Sequence, residues 1–212
     1  MQALIVDALW QQADILRMRS GAAVTVRPAD SDDADALQAY FRGLSAHSRY
    51  SRLMGAVSEI SRAELDKFTH VSFTSVGAAS FPLIATVRRD DGGEIIVGEA
   101  RYVLNEETGG TELALSIGDA MQRRGLGRQL MANLECRATA AGGQELFGDT
   151  LRSNEAMIAL ARSLGYALTP TPGEWKQVRF EKRLGISKLA YPCASLRLAV
   201  AAKASAGSTP AP

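Results

Sequence analysis

The chain has 212 residues, 46% of them hydrophobic, with 24 Lys+Arg against 23 Asp+Glu. That length suits one domain with tails and is enough to bury a sizeable core. The near-cancelling charges exclude the basic surface of a nucleic-acid or membrane-surface binder. Cys136 and Cys193 form no metal pattern and no disulfide framework, and Cys136 reads as a small buried apolar residue. With His47 and His70 as the histidines, no metal site is expected. Asp7 and Asp14 interrupt the first apolar stretch and no basic start precedes it, so no secretory signal is read. No apolar run of about 18 residues is present either, so the expected setting is the cytoplasm, without membrane contact.

Met1 to Ser20 places Leu4, Ile5, Ala8, Leu9, Ile15 and Leu16 at roughly helical spacing. It predicts an extra helix packed on the domain or against the second subunit of a homodimer. Val24 to Asp30 reads as a strand, and Asp32, Asp33 and Asp35 favour a helix start after it. Leu37, Tyr40, Phe41 and Leu44 supply that helix with a buried stripe. Ser61-Arg62-Ala63-Glu64 has the form of a capping box and opens a helix to about Phe68. Phe81–Arg89, Glu94–Leu104 and Glu112–Gly118 alternate or are β-branched and are separated by turn-rich stretches, which predicts an antiparallel meander. Gln144–Thr150 reads as a short buried strand, Asn154–Leu164 as a helix stopped by Gly165, and Trp175–Leu184 as an edge strand. Ala199–Pro212 is Ala/Ser/Gly/Pro-rich and is expected to be disordered. The predicted class is α+β: a mixed, largely antiparallel sheet with helices on both faces. Its expected organisation is a helical extension over 1–22, one domain over 23–185 and a partly disordered tail over 186–212.

The chemistry concentrates at Gln122-Arg123-Arg124-Gly125-Leu126-Gly127, which follows a strand and opens the helical run from Arg128. Strand, glycine loop and helix in that order aim backbone N–H groups and the positive end of a helix dipole at one point, a site for a phosphate-like anion. A side chain at Gly125 or Gly127 would block the turn or hold the anion away. No Lys-Ser/Thr pair follows the second glycine, so this is not a P-loop, and the three-glycine dinucleotide fingerprint is also missing.

Gln122 to Gly127 resembles, at every fixed position, the diphosphate loop Gln/Arg-x-x-Gly-x-Gly/Ala of the GNAT N-acetyltransferase superfamily. Val24 to Asp30 is similar to the opening strand of that family. Asn154 to Tyr166 is similar to its late helix, which asparagine starts and Leu-Gly-aromatic ends. The resemblance covers about residues 24–184. It implies a GNAT fold with one splayed strand pair, acetyl-CoA as co-substrate, and an amine acceptor. On this resemblance, backbone groups of Leu115, Ser116 and Ile117 would pair with the pantetheine arm. Amides from Gln122 through Arg123, Arg124, Gly125, Leu126, Gly127 and Arg128 would hold the diphosphate. Asn154 is carried over with the cofactor-binding residues. Arg123, Arg124 and Arg128 either add charge at that site or are ordinary solvated arginines.

An alkyl ammonium with pKa near 10.4 must lose its proton before attacking a thioester. Glu112 is the candidate base, because some protein-lysine acetyltransferases of the superfamily carry their glutamate at this point of the strand. Glu99 on the preceding strand is its rival. The tyrosine that many members use as general acid falls at Ala161 here, and Tyr166 takes the position of a core aromatic. That substitution, with Leu44 to Gly55 and its Ser48-Arg49-Tyr50 and Arg52, resembles the bacterial protein-lysine acetyltransferase branch, which includes enzymes that modify acyl-CoA synthetases. Arg49, Tyr50 and Arg52 would then shape the acceptor entrance. Three activities stay open: acetylation of a protein lysine, acetylation of a small amine such as a polyamine, amino acid or antibiotic, and acyl-CoA binding without catalysis. Clustered Glu106, Glu107 and Glu112 would favour the second.

Overall fold

The computed structural model describes residues 11–73, 78–185 and 193–206. These residues form a nine-stranded sheet. Its strands are β1 (Asp14–Arg17), β2 (Ala23–Pro28), β3 (Ser72–Phe73), β4 (Ala78–Arg88), β5 (Glu94–Asn105), β6 (Gly110–Ile117), β7 (Glu145–Leu151), β8 (Ala167–Pro170) and β9 (Gln177–Arg183). They lie in the order β1-β2-β4-β5-β6-β7-β9-β8, with β3 paired to β4. All pairs are antiparallel except β6 with β7. The helices are α1 (Ala34–Gly43), α2 (Ala46–Leu53), α3 (Arg62–Thr69), α4 (Leu126–Ala140), α5 (Glu155–Ser163) and α6 (Ala194–Ala206).

Two cores sandwich the sheet. Leu37, Tyr40, Phe41 and Leu44 of α1 and its end pack with Leu65 and Phe68 of α3 over Ile84 and Ile96. The opposite face carries Leu126, Leu130, Met131, Leu134 and Ala138 of α4 against Leu83, Ala100, Tyr102 and Leu113. Alternation along β6 divides its side chains between these layers: Leu113, Leu115 and Ile117 join the α4 core, so Glu112, Ala114 and Ser116 point to the α1–α3 side. The capping box at Ser61 and Glu64 closes as expected, and so does the α5 start, where Asn154 accepts from the Met157 amide. Gly165 ends α5 with φ 81°, a left-handed conformation that suits glycine.

Three expectations are corrected. The helix predicted over Met1 to Ser20 is a strand at Asp14–Arg17, paired with Ala23–Val26, and the sheet therefore begins before residue 23. Residues 1–10 of that prediction lie outside the described residues. Period-two burial decides the outcome: Asp14 is buried while Ile15 is 65% exposed. Next, Trp175–Leu184 is not an edge, because the unforeseen β8 pairs with the outer side of β9. Finally, Ala199 to Ala206 continues α6, so the tail is helical that far; residues 207–212 lie outside the described residues.

The cysteine reading is corrected as well. Cys136 on α4 and Cys193 just before α6 form a disulfide with Cα atoms 5.9 Å apart. Both residues are buried, and their pairing seats α6 on α4. Next to it, Asp14 accepts from Arg137 Nη2 (2.7 Å), Asn133 Nδ2 (2.9 Å) and the Ala194 amide (2.8 Å). One carboxylate thus joins β1, α4 and α6. Removing it would leave the fully buried Arg137 guanidinium without a counter-charge. Asp14→Ala is expected to cost about 3–5 kcal/mol in denaturant titration and to speed amide exchange over residues 194–206.

Candidate active site

The glycine loop is shaped by two left-handed residues. Arg123 has φ 58° and Gly125 has φ 90°. A non-glycine residue in that region is strained by about 1–3 kcal/mol and is found where function demands the backbone shape. Gly125 is the N-cap of α4 but no side chain caps that helix. The first intrahelical bond is Gln129 N–H to Gly125, so the amides of Leu126, Gly127 and Arg128 precede the ladder. Leu126 is wholly buried and holds this end of α4 against the sheet. The two glycines serve different ends. Around Gly125 nothing lies within 4 Å of a Cβ position, so its φ alone requires glycine. At Gly127 a Cβ would stand 3.1 Å from Leu160 of α5, so glycine there permits close helix packing beside the anion site.

Beyond the loop the sheet opens. β6 and β7 pair only through Gly110↔Glu145, Thr111↔Leu146 and Glu112↔Phe147, after which the two strands part. Gly148 sits at the vertex, where a Cβ would meet the Phe180 ring at 2.5 Å and the Leu113 carbonyl at 2.7 Å. A cleft of about 800 Å³ fills the gap. Its walls are Leu113–Ile117, the glycine loop, Asp149 and Thr150 of β7, the first turns of α5, and His47, Ser48, Ser51, Arg52 and Met54 from α2 and its end.

The sequence-predicted residues divide within this frame. Gly118 N–H donates to Val97 on β5, and the Ser116 carbonyl lies against Gly98 on the same strand. Strand alternation therefore turns the backbone groups of Leu113, Leu115 and Ile117 toward the gap and those of Ser116 away from it. The Ile117 carbonyl is taken by Gln122 Nε2 at 3.0 Å, which leaves Leu115 as the residue offering both main-chain groups. Gln122 also spends its own amide on the Asp119 carbonyl (3.3 Å), so its contribution is to shape the loop. Arg128 bonds Ser163 Oγ at 2.8 Å, which ties the loop to α5. Asn154 lines the cleft with its carboxamide already engaged, accepting from Met157 N–H (3.2 Å) and donating to Thr150 (3.1 Å). Arg123 and Arg124 have no ion-pair partner among the described residues.

The carboxylates on the α1–α3 side differ sharply. Glu99 is 1% exposed and gripped by Arg52 through Nε (2.5 Å) and Nη2 (2.9 Å). Ser116 donates to it at 2.6 Å, so Tyr40 O–H must be the donor in its 2.9 Å contact with Ser116, whose single hydrogen is spent. Burial pushes the Tyr40 phenol well above its usual range, helped by the Glu99 charge. Burial alone would lower the Arg52 guanidinium, but Glu99 more than offsets it and raises it. Asp149 likewise is held by Arg179 (2.7 Å) and Thr171 (2.8 Å); burial opposes its ionisation, yet these bonds keep it below the ordinary carboxylate range. Glu112 is exposed, forms no ion pair among the described residues, and lies in the fields of Arg52, Arg101 and Arg179. Arg101 opposes Ala114 and is lowered by burial and by repulsion from Arg52. Glu106 and Glu107 occupy the β5–β6 turn, at the closed end of the fork.

Other expected roles change. Arg49 donates to the Phe41 and Leu44 carbonyls and closes the end of α1 rather than shaping an entrance. Ala161 is wholly buried and Tyr166 packs edge-on to Phe180 in the core, so no phenol stands on α5. Sequence reasoning missed Asp119, Ser45, Gly148 and Asp149. An isolated glycine inside a strand pattern marks close backbone approach, which is the signal that could have found Gly148.

A sheet split between two parallel strands, with uncapped amides at its mouth, defines a protein that binds an elongated diphosphate-bearing molecule edge-on. The chain belongs to the Acetyltransferase (GNAT) family, whose model matches residues 51–166. It is 30% identical over 159 residues to Acetyltransferase PA5475 of Pseudomonas aeruginosa, covering 74% of this chain and 82% of that protein. Among solved structures, the GNAT domain of S. lividans PAT superposes with TM-score 0.72 at 26% identity, over 84% of this chain and 98% of that one. YncA of Salmonella typhimurium, a structure with its cofactor acetyl-CoA, shares the fold with TM-score 0.55 at 20% identity, over 81% and 98% of the two chains. The protein is an acetyltransferase, and acetyl-CoA is its acetyl donor. Loop and cleft suit that donor, since uncapped amides at a helix start favour a diphosphate and an unpaired strand edge favours a ligand that carries its own amides.

Gly127→Val is expected to lower acetyl-CoA affinity about ten- to hundred-fold in calorimetry, the effect of about 1–3 kcal/mol of overpacking against Leu160. Gly125→Ala separates the two reasons for glycine, since it carries only the left-handed backbone cost of about 1–2 kcal/mol.

Proposed function

We propose that the protein acetylates lysine side chains of a protein acceptor, with Glu112 as the general base. The observation that carries this reading is the contrast among three carboxylates on one side of the fork. Glu99 and Asp149 are each locked by an arginine, and Glu112 alone of the three is unpaired at the branch point. The likeness to the GNAT domain of S. lividans PAT supports a protein acceptor. Glu99 and Asp149 neutralise Arg52 and Arg179, and Arg101 stands beside Glu112, so the site carries no surplus of negative charge to attract a small polycation.

The chemistry follows from the protonation state of the acceptor. At neutral pH roughly one lysine amine in a thousand is uncharged. A carboxylate beside the approaching nitrogen takes a proton, directly or through water, and the freed lone pair attacks the thioester carbonyl. The C–N bond forms and a tetrahedral oxyanion develops at the fork, where the Leu115 N–H points. Collapse breaks the C–S bond; the adduct nitrogen, which carries two hydrogens, gives one to water or to the departing thiolate and keeps the other in the amide, while the carboxyl returns its own proton to solvent. Coenzyme A departs as a thiolate of ordinary thiol acidity, near pKa 8.5, so the reaction proceeds without a phenol at Ala161. Proximity of the bound thioester and amine contributes the larger share of the acceleration.

Glu112→Gln is expected to leave acetyl-CoA affinity within about three-fold while lowering turnover by about 10²–10⁴-fold at neutral pH. Mass spectrometry of a purified acyl-CoA synthetase incubated with enzyme and acetyl-CoA reads the product, with polyamines, amino acids and aminoglycosides as competing acceptors. Near-normal turnover of Glu112→Gln would remove it as base, and acetylation confined to the small amines would remove the protein acceptor.

A further inference from the structure

We propose that Asp119 is a positioning residue that makes placement of the acceptor wall depend on the diphosphate loop. This rests on the reading that α2 forms the acceptor side of the cleft. Helix α2 buries no residue fully, and Leu53 at its last position is the side chain it packs against the α1–α3 core, a smaller apolar contact than the buried stripe of α1. Yet α2 and the residue that ends it, Met54, supply the whole cleft wall on that side. Polar contacts at its two ends do the holding. At the C-terminal end Arg52 reaches the buried Glu99. At the N-terminal end stands Asp119, in the turn that joins β6 to the glycine loop.

Asp119 collects three donors from the start of α2. Its Oδ2 accepts from the Ser45 amide at 2.9 Å; its Oδ1 accepts from the hydroxyls of Ser45 (2.9 Å) and Ser48 (2.7 Å). With its one hydrogen given to Asp119, the Ser45 hydroxyl still accepts from the Ser48 amide at 3.2 Å as the helix N-cap. The Ser48 hydroxyl in turn accepts from Gln122 Nε2 at 3.1 Å. Gln122 is the first residue of the loop and uses its second amide hydrogen on the Ile117 carbonyl. Every donor in this circuit has one acceptor and the chain ends on a carboxylate, the strong form of hydrogen bond. These bonds hold the Asp119 carboxyl below its usual range, against the opposing effect of burial.

The circuit runs from the end of β6, through the loop that grips the diphosphate, to the first turn of α2. Fixing the loop with acetyl-CoA fixes Gln122 and Asp119, and through them the position of His47, Ser51 and Arg52. The acceptor wall therefore keeps its place only as firmly as the loop does, and whatever steadies the loop steadies the wall.

Amide exchange with and without coenzyme A tests this without an acceptor, so it stays readable should the lysine proposal fail. In the native protein, coenzyme A is expected to slow exchange over both 45–53 and 122–128. In Asp119→Ala, protection of 122–128 and donor affinity within about three-fold are retained, while protection of 45–53 falls about ten-fold or more, since three hydrogen bonds to a carboxylate are lost together. Kinetically, the acceptor KM rises about ten-fold or more with the acetyl-CoA KM near its native value. Ser48→Ala, which cuts the link to Gln122 but spares the Ser45 cap, is expected to shift both readings in the same direction and serves alone if Asp119→Ala does not fold. Undiminished protection of 45–53 in the variants overturns the proposal, and so does an equal loss at loop and helix.

Discussion

Strand β6 has eight residues, and only the first three pair with β7 before the strands part. Everything that makes a site depends on where that ladder stops. A parallel pair would ordinarily continue, since each further pairing satisfies two main-chain groups that are costly to leave unmade. Here β7 is drawn off by its seven-residue antiparallel ladder with β9. The glycine at the branch lets three backbones approach where any side chain would collide with the Phe180 ring or the Leu113 carbonyl. The unpaired edge of β6 is then a template for a ligand that carries its own amides, and the fold leaves it open inside a cleft rather than on a surface edge that could aggregate.

The same split separates two chemistries. On the α4 side the cleft is backed by the main core, whose fully buried leucines are each stabilised by about 1.5–3 kcal/mol on transfer from water. On the α2 side it is polar, held by ion pairs and hydroxyls, with one carboxylate left unpaired. Rigid packing suits the donor, whose diphosphate must meet backbone amides at fixed places. Polar tethers suit the acceptor, which must enter, react and leave. Paired charges also define what Glu112 is not: an anion whose lone pairs are spent on an arginine fork is a poor proton acceptor, as Glu99 illustrates.

Legibility in the sequence followed the range of the forces involved. The Ser61–Glu64 capping box, the glycine loop and the stripe on α1 are set by residues within a few positions of one another, and all were readable. The glycine loop could be placed because strand, turn chemistry and helix start follow in order. Pairings between distant segments were not readable. Asp14 appears as an acid interrupting a helical pattern until Arg137, more than a hundred residues on, is seen to neutralise it. The same holds for Cys136 and Cys193, whose spacing of 57 residues matches no framework and whose bond follows only from the docking of α6 on α4. β8 escaped because four residues carry too little periodicity to separate a strand from a loop.

Within the site, the residue types were legible but not their assignments. Glu99 and Glu112 share a face because Glu99 opposes Ser116, an even number of residues from Glu112, and the same register shows how far apart along the sheet they are. Four residues of β6 separate the two positions, roughly 13 Å at strand rise. That distance permits different settings: a buried glutamate that holds α2 through Arg52, and an exposed one at the branch of the fork. A sequence cannot show which of two carboxylates an arginine will select, because the choice is made by a helix arriving from some fifty residues away. The physical rule that separates the two is therefore tertiary, and it operates through desolvation: the carboxylate that folding removes from water must be paired, and the one left in water need not be.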